Sequence, residues 1–393
     1  MMHDKQPPGG DVARPAPGCF DRSADRFEGD QAGRLCPSSL PDFLSCFPAK
    51  LEHYAADIHF LRGWATLTAL HREGEFALER LWTLGSVLFK ADSMLRGNGL
   101  CGIRFLEEHG FQIRAVRAVS FSGERVMHFW HYSTGRLSQE RVELLKQLQA
   151  VCCSLYLIVE SAGNRSRLPC SLRITELKGQ VALANRDPGT LRYAMGNPQS
   201  AFFNFVHSAD EPADLVRELG LLFDATELRA VIAEVTSESR PEVEEVYRAL
   251  MAGCPRSDLD SSRAFERLRD CVASATVLPD SERADLYESA DRLREASYAS
   301  WLGLRHRLSV RGVRIDPIDD MIITAGLVAL KQTNPTQPFP SCEARHWENH
   351  NPSLHAGVAW PSTPSEDSGT CAAMRLREGE EDSVQTSMRI IPR

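Results

Sequence analysis

The sequence predicts an α/β or α+β sandwich, with helices covering one sheet face and helical extensions flanking that unit. Three observations predict it. Short apolar runs at 86–89, 111–121, 151–160 and 201–206 alternate with stretches of helical periodicity. The stretches at 40–83 and 225–332 read as helices. Residues 1–39 and 333–393 are rich in Pro, Gly, Ser and charge, and read as disordered segments.

Composition bounds the function classes. A chain of 393 residues holds two ordinary domains, or one domain with long appendages. A net charge of −8 argues against general nucleic-acid binding, which needs a basic face, but leaves room for a local basic pocket. No uninterrupted apolar run is long enough to span a bilayer, and the N-terminal residues lack the apolar region of a secretory signal. Eleven cysteines are scattered with no Cys-x-x-Cys pair, which suits a reduced cytoplasmic protein. Cys152 and Cys153 read as small core residues. Cys342, His346, His350 and His355 have a spacing that could bring metal donors together, but they fall in the Pro- and Asn-rich tail. The metal-free reading is preferred, and no metal ligands are assigned.

The elements follow in order. Phe43, Phe47, Leu51, Tyr54, Ile58 and Leu61 recur at helical spacing, continued by Trp64, Leu67 and Leu70 up to Gly74, and read as helices packed on the next domain. From residue 84 the pattern predicts a strand at 86–89, a helix at 99–109, a strand at 111–121, helices at 125–132 and 139–150, and a strand at 151–160. A short helix or turn at 172–178, a strand at 201–206 and a helix at 213–222 complete the unit. Beyond 224, helices are expected at 225–250 with a break near Pro241, at 262–273, at 280–308 with Asp280 near its start, and around 321–330.

His207 closes the last apolar run. Asp210 is a candidate N-cap for the following helix, and Pro212 suits its first turn. The histidine thus falls where a strand gives way to a helix N-terminus, whose unpaired N–H groups suit a phosphate.

Residues 188–223 read PGTLRYAMGNPQSAFFNFVHSADEPADLVRELGLLF, and they resemble the C-terminal half of nucleoside diphosphate kinases. The matches are Pro188-Gly189-Thr190-Leu191-Arg192, Asn204, His207, Asp210 and the Glu218–Phe223 run. Upstream, Val87-Leu88-Phe89-Lys90-Ala91-Asp92 is similar to the family's first strand with its Lys-Pro-Asp end. Gly102 to Phe111 is similar to its first helix and following turn, and His131-Tyr132 to its His-Tyr pair. The resemblance spans residues 84–224. It implies a ferredoxin-like βαββαβ core with an antiparallel sheet.

It also implies a site. His207 would be the phosphate-accepting nucleophile and Glu218 the carboxylate that orients it. Lys90 and Arg192 would contact phosphates, Asn204 the sugar and phosphate end, and Tyr132 would stand near the lysine. ATP would phosphorylate His207, and a nucleoside diphosphate would take the phosphate in a second step. Mg²⁺ would be carried by the nucleotide phosphates. Nucleotides are the expected partners, with no membrane and a possible homo-oligomer.

The sequence departs from the pattern at several points. The family's Gly-Ser after the histidine is Ser208-Ala209, and its phosphate-contacting arginine and threonine fall on Thr175 and Val181. The phenylalanine that stacks on the base has no clear match, and Arg173 or Arg186 could restore a lost charge. A divergent phosphotransferase is the preferred reading. A degenerate nucleotide-binding or protein-interaction module is the alternative.

Overall fold

A four-stranded antiparallel sheet runs through the middle of the chain in the order β2-β3-β1-β4. Its strands are β1 (Leu84–Phe89), β2 (Phe111–Val119), β3 (Ser154–Ser161) and β4 (Val206–His207). The computed structural model describes residues 35–134, 137–161, 168–196, 200–295, 297–328 and 338–350. The readings of 1–34 and 351–393 as disordered, and of His355 as a possible donor, lie outside these residues.

β1 and β3 are the inner strands. Their residues, LGSVLF and SLYLIVES, are buried at every position but Glu160 because both faces are covered. They pair from Leu84↔Glu160 to Phe89↔Leu155. The Gly99–Glu108 helix crosses from β1 to β2, and the Cys170–Lys178 helix from β3 to β4. The connectivity is therefore βαββαβ, with the Gly123–Phe129, His131–Thr134 and Gln139–Ala150 helices added between β2 and β3.

The crossover helices cover one face. There Val87 and Phe89 pack with Ile103, Leu106 and Ile174. On the other face Leu84, Leu88 and Ile158 pack with Phe60, Leu67, Leu215 and Leu219. This second layer is built by Ile58–Arg72 from the N-terminal extension, together with Pro212–Leu222 and Ala225–Thr236. The two longest-contacting helices meet at Gly63 and Gly220. A Cβ on Gly63 would collide with the Val216 carbonyl, and one on Gly220 with that of His59, so only glycine permits this backbone-to-backbone approach. The helices of 243–327 extend the first layer; Trp301 is fully buried there and donates from Nε1 to Thr324 Oγ1 at 2.9 Å.

The structure differs from the sequence reading in particular places. The strand expected at 201–206 is reduced to Val206–His207, because Phe205 takes a left-handed φ of 61° and turns the chain just before it. Asp210 is not the N-cap. Glu211 is, closing a capping box with Asp214, and Pro212 stands first in the helix. The helix expected at 125–132 breaks into Gly123–Phe129 and His131–Thr134. The one expected at 280–308 divides into Asp280–Asp291, a 3₁₀ turn and Tyr298–Val310. Residues 338–350, inside the stretch read as a disordered tail, are packed: Ala344–His350 is a helix whose Trp347 is buried edge-on against Trp82. Among the described residues no helix is long and apolar enough to cross a membrane.

Candidate active site

The short β4 strand pairs with the inner strand β1 through Leu88↔His207 and Phe89↔Val206. Its strained entry is clamped on both sides. Lys90 N donates to Phe205 O at 2.9 Å, and Phe205 N donates to Asp92 Oδ2 at 2.9 Å. The register carries His207 over the second sheet face, toward the Pro212–Leu222 helix.

His207 Nε2 lies 2.7 Å from Glu218 Oε1. The carboxylate is buried, with its side chain only 6% exposed, while the imidazole is 27% exposed. A carboxylate only accepts, so the proton sits on Nε2 and the Nδ1 lone pair is left for another partner. Phe129 and Trp130 stand edge-on to the ring at 5.0 and 5.9 Å. Glu218 is itself held from the sheet. Its Oε2 accepts from Ser86 Oγ at 2.5 Å and from Tyr156 OH at 3.1 Å, and Ser86 Oγ in turn accepts from Ala209 N at 3.2 Å.

The loop after the histidine is fixed from the Cys170–Lys178 helix. Lys178 Nζ donates to Ser208 Oγ at 2.7 Å and lies 3.5 Å from Asp210 Oδ1. Thr175 Oγ1 donates to Asp210 Oδ1 at 2.9 Å. Burial alone would raise the Asp210 carboxyl, but Lys178 and then Lys50 hold it below the ordinary value. Burial lowers Lys178, opposed by Asp210.

His207 opens into a cavity of about 130 Å³, lined also by Lys50, Tyr132, Asp210, Arg217 and Phe339. Phe339 stands on its wall, 5.2 Å from Tyr132 and 6.2 Å from Tyr54 between ring centres. The cations at its wall are already paired. Lys50 Nζ donates to Asp214 Oδ2 at 2.6 Å and Glu211 Oε2 at 2.7 Å, and Arg217 Nε donates to Asp57 Oδ2 at 2.8 Å.

Of the residues singled out from the sequence, His207 and Glu218 meet. Tyr132 reaches the same cavity, but its OH donates to Asp57 Oδ2 at 3.0 Å, and burial raises the phenol. Lys90 and Arg192 lie behind the loop and not on the cavity wall. Lys90 Nζ is buried 3.4 Å from Asp92 Oδ2, and burial lowers it. Arg192 is spent on the backbone: Nε, Nη1 and Nη2 donate to the carbonyls of Asn204, Gly179 and Val206 at 3.1, 2.6 and 2.8 Å. Burial pushes Arg192 down to about 10. Asn204 Nδ2 donates locally to Phe202 O at 3.3 Å. Val181 is exposed, and the Arg173 guanidinium lies over the Phe111 ring at 5.4 Å.

The sequence reading missed Ser86, Tyr156, Lys50 and Lys178. Ser86 had a signal: it is the one hydroxyl in the β1 run and shares the face of Leu84 and Leu88. Lys50, 161 residues from Glu211, had none.

Residues 86–228 match the sequence model of the family described as nucleoside diphosphate kinase. With the His207–Glu218 pair on a βαββαβ sheet of order β2-β3-β1-β4, the match decides the domain. Residues 86–228 form a divergent nucleoside diphosphate kinase-like domain. Among solved structures the chain is similar to the nucleoside diphosphate kinase of Aquifex aeolicus, at 23% identity over 37% of this chain and 96% of that one, with a TM-score of 0.30. It is likewise similar to an NDP kinase from Pyrobaculum aerophilum, at 21% identity over 37% of this chain and 98% of that one, with a TM-score of 0.31. At these scores neither neighbour adds to the family match. No curated protein matches the chain.

Proposed function

We propose that the kinase-like domain is a histidine phosphotransferase, passing the γ-phosphate of ATP through His207 to a nucleoside diphosphate or related acceptor. The observation that carries this reading is the 2.7 Å contact between His207 Nε2 and Glu218 Oε1. With Nε2 held by a buried carboxylate, the Nδ1 lone pair attacks the γ-phosphorus as the bond to the ADP oxygen breaks, and that electron pair leaves with ADP. Glu218 offsets the positive charge that develops on the phosphorylated imidazole. The acceptor's terminal phosphate oxygen then attacks the same phosphorus and frees His207. Mg²⁺ would enter on the nucleotide phosphates, as part of the substrate.

A cavity of about 130 Å³ holds a phosphoryl group and not a nucleotide, whose sites run to several hundred Å³. Nucleotide access therefore requires Phe339 and its neighbours to leave. A second reading, a degenerate domain that binds a nucleotide or protein without turnover, is favoured by one observation: Lys90 and Arg192 are committed to Asp92 and to backbone carbonyls.

The test is incubation of the full chain with γ-labelled ATP and Mg²⁺ beside His207→Ala. Acid-labile, base-stable label on wild type only, released by nucleoside diphosphates, supports the phosphotransferase. Absence of label on wild type that binds ATP would sink it in favour of the second reading.

A further inference from the structure

Cys46 and Cys342, 296 residues apart in the chain, meet with their sulfurs 3.7 Å apart. A Glu211 carboxylate oxygen lies with them, the three donor atoms all within 4.8 Å of one another. The cysteine that the sequence groups with His346 and His350 is thus grouped by the fold with residues from two distant segments. His346 turns its Nδ1 to the backbone N of Glu343 at 3.1 Å.

The spacing has a chemical reading. A disulfide needs sulfurs about 2.05 Å apart. Two thiolates bound at about 2.3 Å to one tetrahedral Zn²⁺ stand about 3.8 Å apart. The observed separation rules out a disulfide and matches a direct thiol contact, which already stands at the spacing the second arrangement requires. Glu211 is well supplied with donors: Oε2 accepts from Ser45 Oγ and Lys50 Nζ, at 2.9 and 2.7 Å, Oε1 accepts from Cys46 N at 2.8 Å, and the capping box adds the Asp214 N–H, so a cation would take the place of one of these.

We infer that Cys46, Cys342 and Glu211 form a binding site for a thiophilic divalent cation, Zn²⁺ foremost, with water completing four-coordination. On binding, the two thiols release two protons to solvent and each sulfur donates a lone pair to the metal. Two thiolates and one carboxylate carry three negative charges against two positive. Lys50, already on Glu211, lies beside the remaining one. Paired soft sulfur ligands select Zn²⁺ over Mg²⁺ or Ca²⁺.

The site has a mechanical consequence. Glu211 is the N-cap of the helix that carries Glu218, and Cys342 lies three residues beyond Phe339, which lines the His207 cavity. A metal here staples the capping segment to the helix that orients the histidine.

The experiment is cobalt reconstitution of the reduced, metal-free full chain, read by absorption. The expected result is a single Co²⁺ per chain with a near-ultraviolet thiolate-to-cobalt charge-transfer band, displaced by Zn²⁺. Cys46→Ser and Cys342→Ser, each checked for folding by circular dichroism, should lose that band. Each should also weaken Zn²⁺ binding by at least the roughly 10–100-fold that loss of an outer-shell partner costs. Removing the metal should speed proteolytic cleavage within 338–350 in wild type and leave Cys342→Ser unchanged. Folded, reduced wild type that gives no charge-transfer band, or a folded Cys342→Ser that keeps it, overturns the site. These readouts need no phosphotransfer, so they stand or fall apart from the activity proposed above.

Discussion

Ser86 Oγ donates to Glu218 Oε2 at 2.5 Å, and so a strand residue holds the carboxylate that holds His207. The family's supporting serine falls on Ala209, which cannot do this, and Ala209 N instead donates to Ser86. Ser86→Ala should leave the fold intact and remove a hydrogen bond to a charged group, about 1.5–3 kcal/mol. The initial rate of His207 labelling should fall on the order of 10–100-fold, with ATP affinity unchanged. Rapid-quench labelling checks it, and an unaltered rate would assign orientation to Tyr156 alone.

Phe339 is the lid. Phe339→Ala removes its ring contacts with His53, Tyr54 and Tyr132. If the lid must open before nucleotide binds, weakening closure by about 1.4 kcal/mol raises nucleotide affinity about 10-fold. Titration with a fluorescent nucleotide measures this. Unchanged affinity would mean the closed cavity is not the barrier.

Arg192 serves the fold. Arg192→Ala strips three backbone carbonyls of their charged donor and should cost on the order of 3–5 kcal/mol of stability. Urea unfolding reads that loss. The nucleotide dissociation constant per folded molecule should hardly move, whereas intact stability with lost affinity would restore the phosphate-contact role.

His59 makes stability depend on pH. Burial chiefly pushes its imidazole down from the ordinary 6.5 to about 4, with Arg217 adding to the effect and Asp57 opposing it. A histidine depressed in the folded state binds its proton more readily when unfolded, so stability is full above about pH 6.5 and falls as the pH drops toward 4. The loss between pH 7.5 and 5.5 should be on the order of 1–2 kcal/mol, and His59→Asn should flatten it. Unfolding midpoints across that range give the slope, and an equal slope in the variant would assign the dependence elsewhere.

Local pattern carried much of this protein. The strand and helix periods at 86–89, 99–109, 111–121 and 139–150 are visible in the chain because each element buries a face that its own spacing defines. His207 and Glu218 were legible only through the resemblance to the kinase family, since spacing alone leaves Glu218 an ordinary solvated helix residue. What sequence alone could not decide was where each charge goes. Lys90 and Arg192 have the residue types of phosphate contacts, yet the fold surrounds them with Asp92 and backbone carbonyls. The shortening of β4 turns on a single left-handed residue, Phe205, which nothing in its type announces. Lys50 and Phe339 reach the site from segments more than a hundred residues away, and Cys46 meets Cys342 across 296 residues. Periodicity reports which way a residue faces on its own element, and only tertiary packing decides what it faces there.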